Sequence, residues 1–408
     1  MVHHTINTNT ANAASASSNS KPMMTLLVGG SRWLLAAAIL GLLASCVSPP
    51  APYPSAPSAP PPPVVDRPTP PPVAAVMQRP RSRWVSADWA DLPGWELDAT
   101  TELWPALLRG CDKPPPEWAR VCSDARTLPP ASDASARAWL RQRLQPWRVE
   151  SPEGSAEGLI TGYFEPLVEA RRVPGGAFRF ALYGPPADLA TRKPYWTRQQ
   201  IDTQRPAQAS LQGRAFAYVA DPLDALILQI QGSGRLNLTE VNGRRSLVRV
   251  AFAGHNDLPY KSVGKWLIEQ GQLRAEQASW PAIKTWARAN PQRVNEMLWS
   301  NPRFVFFREE PLPDPGLGPR GAQNVPLTPG RSIAVDAQSV PYGTPVWLDT
   351  TEPLSNTPLR RLVMAQDTGS AITGAVRADY FWGWGEVAEQ QAGRMKQPLR
   401  MWVLWPKN

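Results

Sequence analysis

Proline placement constrains this chain more than any other feature. Of its 408 residues 47 are prolines, and they crowd the stretch 49–72 as Pro49-Pro50, Pro60-Pro61-Pro62-Pro63 and Pro70-Pro71-Pro72. Each proline fixes φ and removes a backbone donor, so the stretch can build neither a helix nor an inner strand. It reads as an extended polyproline-type spacer. The spacer separates two unlike regions, a leader before it and a body of ordinary globular composition after it.

Residues 1–22 are rich in Asn, Ser, Thr and Ala, and Met23-Met24 offers a second start of translation. The apolar run Trp33–Leu43 is shorter than the roughly 20 residues of a membrane-spanning helix, and it ends in Ala44-Ser45-Cys46. A cationic start, a short apolar middle and a small-residue end are the layout of a secretory signal. Leu43-Ala44-Ser45-Cys46 also resembles a bacterial lipobox. That resemblance implies a leader and signal over 1–45, lipidation of Cys46, a Pro-rich linker over 46–83, and a membrane tether held by two or more acyl chains. Val47 in place of Asp after the cysteine resembles outer-membrane sorting, so the expected address is the periplasmic face of a Gram-negative outer membrane.

Length predicts about two domains with a groove in the folded body from Trp84 onward. The net charge of +9 comes from scattered Lys and Arg, without the basic run of a nucleic-acid footprint; a general attraction to anionic surfaces is expected, and no nucleic-acid partner. Beyond the leader histidines His3 and His4, only His255 remains. That is too few ligands for the usual zinc sites, and nothing near His255 in sequence resembles a nucleophile elbow. It reads as a surface-loop residue. No metal and no cofactor are expected, and catalysis falls to carboxylates. Cys111 and Cys122, an even pair in an exported chain, predict a structural disulfide around Pro114-Pro115-Pro116.

Periodicity predicts helices over 134–144, 262–270, 279–289 and 386–396. Short strands are expected over 158–170, at 225–231 ahead of Gly232-Ser233-Gly234, and at 246–252, 304–307, 332–335, 344–348, 361–365 and 401–404. Gly/Pro turns between short strands point to a mainly β, barrel-like body. Three aspartates follow short apolar runs: Val335-Asp336, Gln366-Asp367-Thr368-Gly369, and Arg377-Ala378-Asp379-Tyr380. An aspartate at a barrel mouth is desolvated, and a neighbouring carboxylate raises its pKa further, which keeps an acid protonated near neutrality. Alone, each such Asp is more often a turn-former.

These segments, with Val340-Pro341-Tyr342-Gly343-Thr344, together resemble the double-psi β-barrel named for its three aspartates. Upstream, Thr161-Gly162-Tyr163-Phe164-Glu165-Pro166, Gln229-Ile230-Gln231-Gly232-Ser233-Gly234-Arg235, Tyr260-Lys261-Ser262-Val263-Gly264 and Asn301-Pro302-Arg303-Phe304 resemble the family of membrane-bound lytic murein transglycosylase A. The resemblance covers about residues 85–408. It implies a double-psi barrel assembled from 84–165 and 310–408, a β-rich domain with a few helices inserted over 166–309, and a glycan groove between them. It also implies cleavage of peptidoglycan between N-acetylmuramic acid and N-acetylglucosamine with formation of a 1,6-anhydro ring. Asp379 matches the catalytic position and Asp367 its support. Thr161 and Tyr163 are expected near the cleavage point, with Gln231, Gly232, Ser233 and Gly234 on the opposite wall. Asp336 is placed with the substrate-facing set, with bracing of the barrel as its expected part. Trp382 and Trp384 are the tryptophans placed near sugar. Ser370 stands where a second glycine is commoner. Peptidoglycan strands, the membrane and other cell-wall enzymes are the expected partners.

Two rival readings remain. Asp367-Thr368-Gly369-Ser370 also matches an aspartic protease signature, which needs a second carboxylate sharing a proton. A groove of this type could equally grip glycan without cutting it, as a wall-binding lipoprotein.

Overall fold

The computed structural model describes residues 74–127 and 129–407. The signal segment, Cys46 and most of the Pro-rich linker lie outside the described residues. Among the described residues, strand pairing is present ahead of Trp84, inside the stretch expected to be linker: Val76–Gln78 pairs antiparallel with Arg83–Ser86.

Six strands close a barrel. Gly158–Glu165 runs parallel to Arg377–Trp384, which lies antiparallel to Ser332–Val335. The latter is parallel to Pro358–Asp367, followed by Pro345–Thr351 and then Lys396–Pro406, both antiparallel. The ring closes where Lys396–Leu399 returns to pair with Gly158–Thr161. The far half of the same long strand carries Leu144–Glu150 and Arg83–Ser86 as an outer extension. Alternation sends Ile160, Ile333, Val335, Val363, Ala378, Tyr380, Met401 and Val403 into one core. On the outside, helices Trp104–Gly110, Ala119–Thr127 and Asp133–Arg143 cover Trp347 and Trp402. Trp95, Trp104, Trp118 and Trp139 are buried in that layer, so much of the tryptophan serves packing. The Cys111–Cys122 disulfide, across a separation of 11 residues, ties the first two of these helices together.

Residues 167–311 build the second domain, a six-stranded sheet in the order 305–311, 245–255, 233–239, 167–171, 215–219 and 180–183. Its helices include Val263–Glu269, capped by Ser262, and Trp280–Ala289, capped by Ser279. The apolar run 225–231, expected as a strand, is instead the helix Pro222–Gln231. Asp221 caps it by accepting from the Leu223 amide, Pro222 opens it, and Gly232 ends it at φ 77°, a left-handed conformation suited to glycine. Its period was unreadable because every face is buried. Leu228 packs into the sheet core, Leu223 and Leu226 into the helical core, and Ile227 against Phe164, Ala388 and Ala392 of the barrel. A helix apolar all round cannot be told from a buried strand by pattern alone. The last helix ends at Ala392, and Lys396 already belongs to the closing strand.

Both chain crossings between the domains meet at one buried carboxylate. Glu165, fully buried, accepts from Arg235 Nε at 2.7 Å and Arg249 Nε at 2.5 Å. The two guanidiniums also donate to the carbonyls of Pro315 and Leu317 in the returning segment, and Trp384 lies 3.9 Å from the Arg235 guanidinium carbon. Glu165→Ala, which strands two buried cations, is expected to cost about 3–5 kcal/mol. A lowered urea midpoint would register it; an unchanged midpoint would show the node to be idle.

Candidate active site

The barrel and the inserted domain face each other across a cavity of about 600 Å³. Thr161, Tyr163, Asp367, Asp379 and Lys396 belong to its barrel wall, while Gln231, Tyr260, Ser262, Lys265 and Trp280 come from the insert. Local strand geometry puts the barrel residues there. Thr161 and Tyr163 are two apart on one strand and so share a face. In register, Asp379 stands opposite Thr161 on one side and Ala334 on the other, and Ala334 in turn stands opposite Asp367. Strands lie about 4.8 Å apart, so the two aspartates flank Ala334 at a backbone separation of about 10 Å. Asp379 therefore sits within the strand Arg377–Trp384 rather than at a strand end, as its local sequence suggested.

The two carboxylates have different surroundings. Asp367 accepts hydrogen bonds from the Tyr163 hydroxyl at 2.9 Å and the Ala322 amide at 3.0 Å, with the Thr368 amide also favouring its charged form. Asp379 accepts from the Thr161 hydroxyl at 2.6 Å, and its other neighbour of opposite charge is Arg377. Burial pushes each up to about 6; at Asp379 the Thr161 hydrogen bond and Arg377 oppose this and Asp367 adds to it, while the donors around Asp367 act against it. Three donors favour an ionised Asp367, and its charge in turn favours the protonated form of Asp379. Burial and the neighbouring carboxylates raise Tyr163 well above 10, so it stays a neutral donor.

The other expected residues are distributed as follows. Asp336 is held by Arg81 at 3.0 Å and by the amides of Gly374 and Gln338; despite a desolvation cost these hold it below the ordinary value. It braces the barrel and does not line the cavity. Gln231 reaches the cavity and accepts from the Phe164 amide at 3.2 Å, stitching the insert to the barrel strand. Gly232 ends the helix, Ser233 opens the next strand, and Gly234 packs on Leu228. Trp382 lies behind the wall: its indole N–H points to the Met395 sulfur, and a Cβ on Gly162 would come within 2.7 Å of it. Trp384 covers Arg235. His255 lies elsewhere on the insert, accepting from the Asp257 amide. Ser370 is exposed beyond Asp367. Among the described residues no group of three or more His, Cys, Asp or Glu is placed to hold a metal ion.

Sequence reasoning did not single out Arg377, Lys396, Lys265 or Trp280. Tyr260 and Ser262 lay in a quoted motif, yet nothing in their local pattern marked them as wall residues.

A barrel with two raised carboxyls, facing an inserted domain across an open groove, is the architecture of a lytic transglycosylase built on the three-aspartate barrel. The family models agree, with an MltA specific insert domain over residues 159–308 and a 3D domain over 331–405. The chain is 35% identical over 260 residues to membrane-bound lytic murein transglycosylase A of Vibrio cholerae, covering 61% of this chain and 66% of that protein. For the Escherichia coli K12 protein of the same name the figures are 30%, 71% and 73%. Among solved structures it is similar to lytic transglycosylase LtgG of Burkholderia pseudomallei, at 44% identity and TM-score 0.58 over 82% of this chain and 98% of that one. MltA of Neisseria gonorrhoeae superposes at TM-score 0.69 with 31% identity, over 82% and 95%. MltA of E. coli with bound chitohexaose gives 0.61 and 25%, over 82% and 95%. The chain belongs to the membrane-bound lytic murein transglycosylase A family.

The raised carboxyl has a consequence for stability. Unfolded, Asp379 loses its proton near 3.8, whereas in the fold it keeps it to about 6. Between these values the folded state binds the extra proton, so stability falls as pH rises through the window. Asp379→Asn is therefore expected to be more stable than wild type at pH 7.5, by about 3 kcal/mol, with the gain vanishing below about pH 3.8. Thermal melts at both pH values check this; equal melting at pH 7.5 would contradict the raised carboxyl.

Proposed function

We propose that this protein cleaves the β-1,4 bond between N-acetylmuramic acid and N-acetylglucosamine in peptidoglycan, leaving 1,6-anhydromuramic acid ends. One observation carries the reading. Asp379 is the single carboxyl of the cavity free to move a proton, because Asp367, its other acidic residue, is engaged by three donors. Ordinary glycosidases use two carboxyl groups, the second as nucleophile or as holder of water. Here the substrate's own C6 hydroxyl replaces that second group. Protonated Asp379 gives its proton to the glycosidic oxygen as the C1–O bond breaks. The C6 oxygen then closes on C1, and the Asp379 carboxylate takes the hydroxyl proton. The acid is regenerated and no water is consumed.

The protease reading loses its support, since Asp367 and Asp379 flank Ala334 with separate hydrogen-bond partners and share no proton. The binding-only reading does not use the raised carboxyl. A lipid on Cys46 and a Pro-rich spacer would let the groove reach the wall from the periplasmic face of the outer membrane, in keeping with relatives named membrane-bound. Other cell-wall enzymes are the expected protein partners.

Purified sacculi incubated with the protein should release muropeptides one water lighter than hydrolysis products, identified by mass spectrometry. Asp379→Asn should lower the rate by about 10²–10⁴-fold, and the wild-type rate should fall as pH rises through about 6. Reducing-end products would instead indicate hydrolysis, and full turnover by the variant would remove Asp379 from the mechanism.

A further inference from the structure

Arg377 is a cation without a carboxylate. Half-buried beside the catalytic strand's start, it forms no ion pair among the described residues. Its guanidinium is anchored to the backbone carbonyl of Ala378 and, at 3.5 Å, of Leu159. Its one side-chain partner is the Thr161 hydroxyl, 2.9 Å from Nη2. That hydroxyl oxygen lies 2.6 Å from Asp379 Oδ1, so Arg377, Thr161 and Asp379 form a chain of three.

The guanidinium gives the chain a preferred polarity. A guanidinium donates and cannot accept, and a threonine hydroxyl has a single hydrogen. Arg377 takes one of the two lone pairs of the Thr161 oxygen and polarises its O–H bond, which makes the hydroxyl a better donor to Asp379 Oδ1 than acceptor from it. An oxygen already receiving a proton from its neighbour is the poorer place for the carboxyl's own hydrogen. Among the described residues Oδ2 accepts no hydrogen bond, and Asp379 lines the cavity. We propose that Arg377 is a positioning residue that, through Thr161, biases the catalytic proton toward Asp379 Oδ2, the oxygen open to the substrate.

Without the guanidinium that bias is gone, and the hydroxyl accepts from a proton on Oδ1 as readily as it donates, turning the acid away from the glycosidic oxygen. The other groups around Asp379 do not replace it. Asp367 comes from the strand beyond Ser332–Val335, the neutral Tyr163 from the strand beside Asp379, Lys396 from the closing strand, where it stands opposite Thr161, and Lys265 and Tyr260 from the insert across the cavity; among the described residues none hydrogen-bonds to the Thr161 hydroxyl through its side chain.

The inference rests on the transglycosylase reading, and a double-mutant cycle on the purified full-length protein separates the two. Release of anhydro products by wild type tests the activity; coupling tests Arg377. Arg377→Met and Thr161→Val are each expected to lower kcat on sacculi by about 10–100-fold. The double variant should be no slower than the slower single one, because the two residues act as one unit. Losses that multiply would overturn the proposal. The basic limb of kcat/KM should move to higher pH in Arg377→Met, since a cation favouring the carboxylate is gone; a lower rate with an unmoved limb would mean a merely structural role and would also overturn it. Arg377→Lys, which keeps a donor-only cation, should recover most of the lost rate. Should Arg377→Met not fold, Arg377→Gln takes its place. Its amide oxygen can accept the hydroxyl proton, and the same coupled loss is expected.

Discussion

The site depends on barrel closure. Lys396–Leu399 pairs with Gly158–Thr161, and that pairing holds Gly158–Glu165 beside Arg377–Trp384 with Thr161 opposite Asp379, 218 residues away in sequence. A closed sheet has no free edge, so this strand has nowhere else to satisfy its backbone groups. Once the register is set, the two-residue period of the strand places both useful side chains. Thr161 meets Asp379, and Tyr163 on the same face meets Asp367. One tripeptide thus serves two carboxylates, and Gly162 between them is bare because Trp382 and Ala392 press against it from the other side.

The inserted domain is held by a different kind of force. Glu165 ends the same strand and is out of water, where an ion pair survives only if its remaining lone pairs and protons are satisfied. Arg235 and Arg249 meet that condition by also donating to Pro315 and Leu317. The helix Pro222–Gln231 adds apolar contact to both domains, and its last residue, Gln231, bonds to the barrel strand. Chain entry, chain return and cavity wall therefore converge within a few residues of Thr161 and Tyr163. A groove for a long polymer needs two walls at a fixed distance, and this junction supplies that constraint next to the reacting groups.

How much was legible depended on whether local pattern and tertiary role agreed. The capped helices at Ser262 and Ser279 and the strand Ser332–Val335 were readable, because cap chemistry and apolar alternation act over a few residues. The helix Pro222–Gln231 was not, since burial on every face erased its period. Asp379 looked like a strand-end turn residue although its strand continues to Trp384; small and aromatic residues downstream disguise the extension. Among the aspartates, Asp336 has the same local wording as the other two yet is committed to Arg81 and two amides. Arg377 and Lys396 carry no sequence signal, being ordinary cations until a distant strand is laid beside them.

The sequence by itself determined the scarcity of histidine, which turns attention to carboxylates, and the motifs that mark the barrel and its insert. It also determined the cysteine pair, which the structure joins. Only the tertiary structure decided which donors each aspartate receives. Burial lifts both carboxyls alike, and the donors that distinguish them come from Thr161, Tyr163 and Ala322, far away along the chain. A pKa is set by solvent exclusion and by charges a few ångströms distant, and neither quantity is a property of a residue's neighbours in sequence.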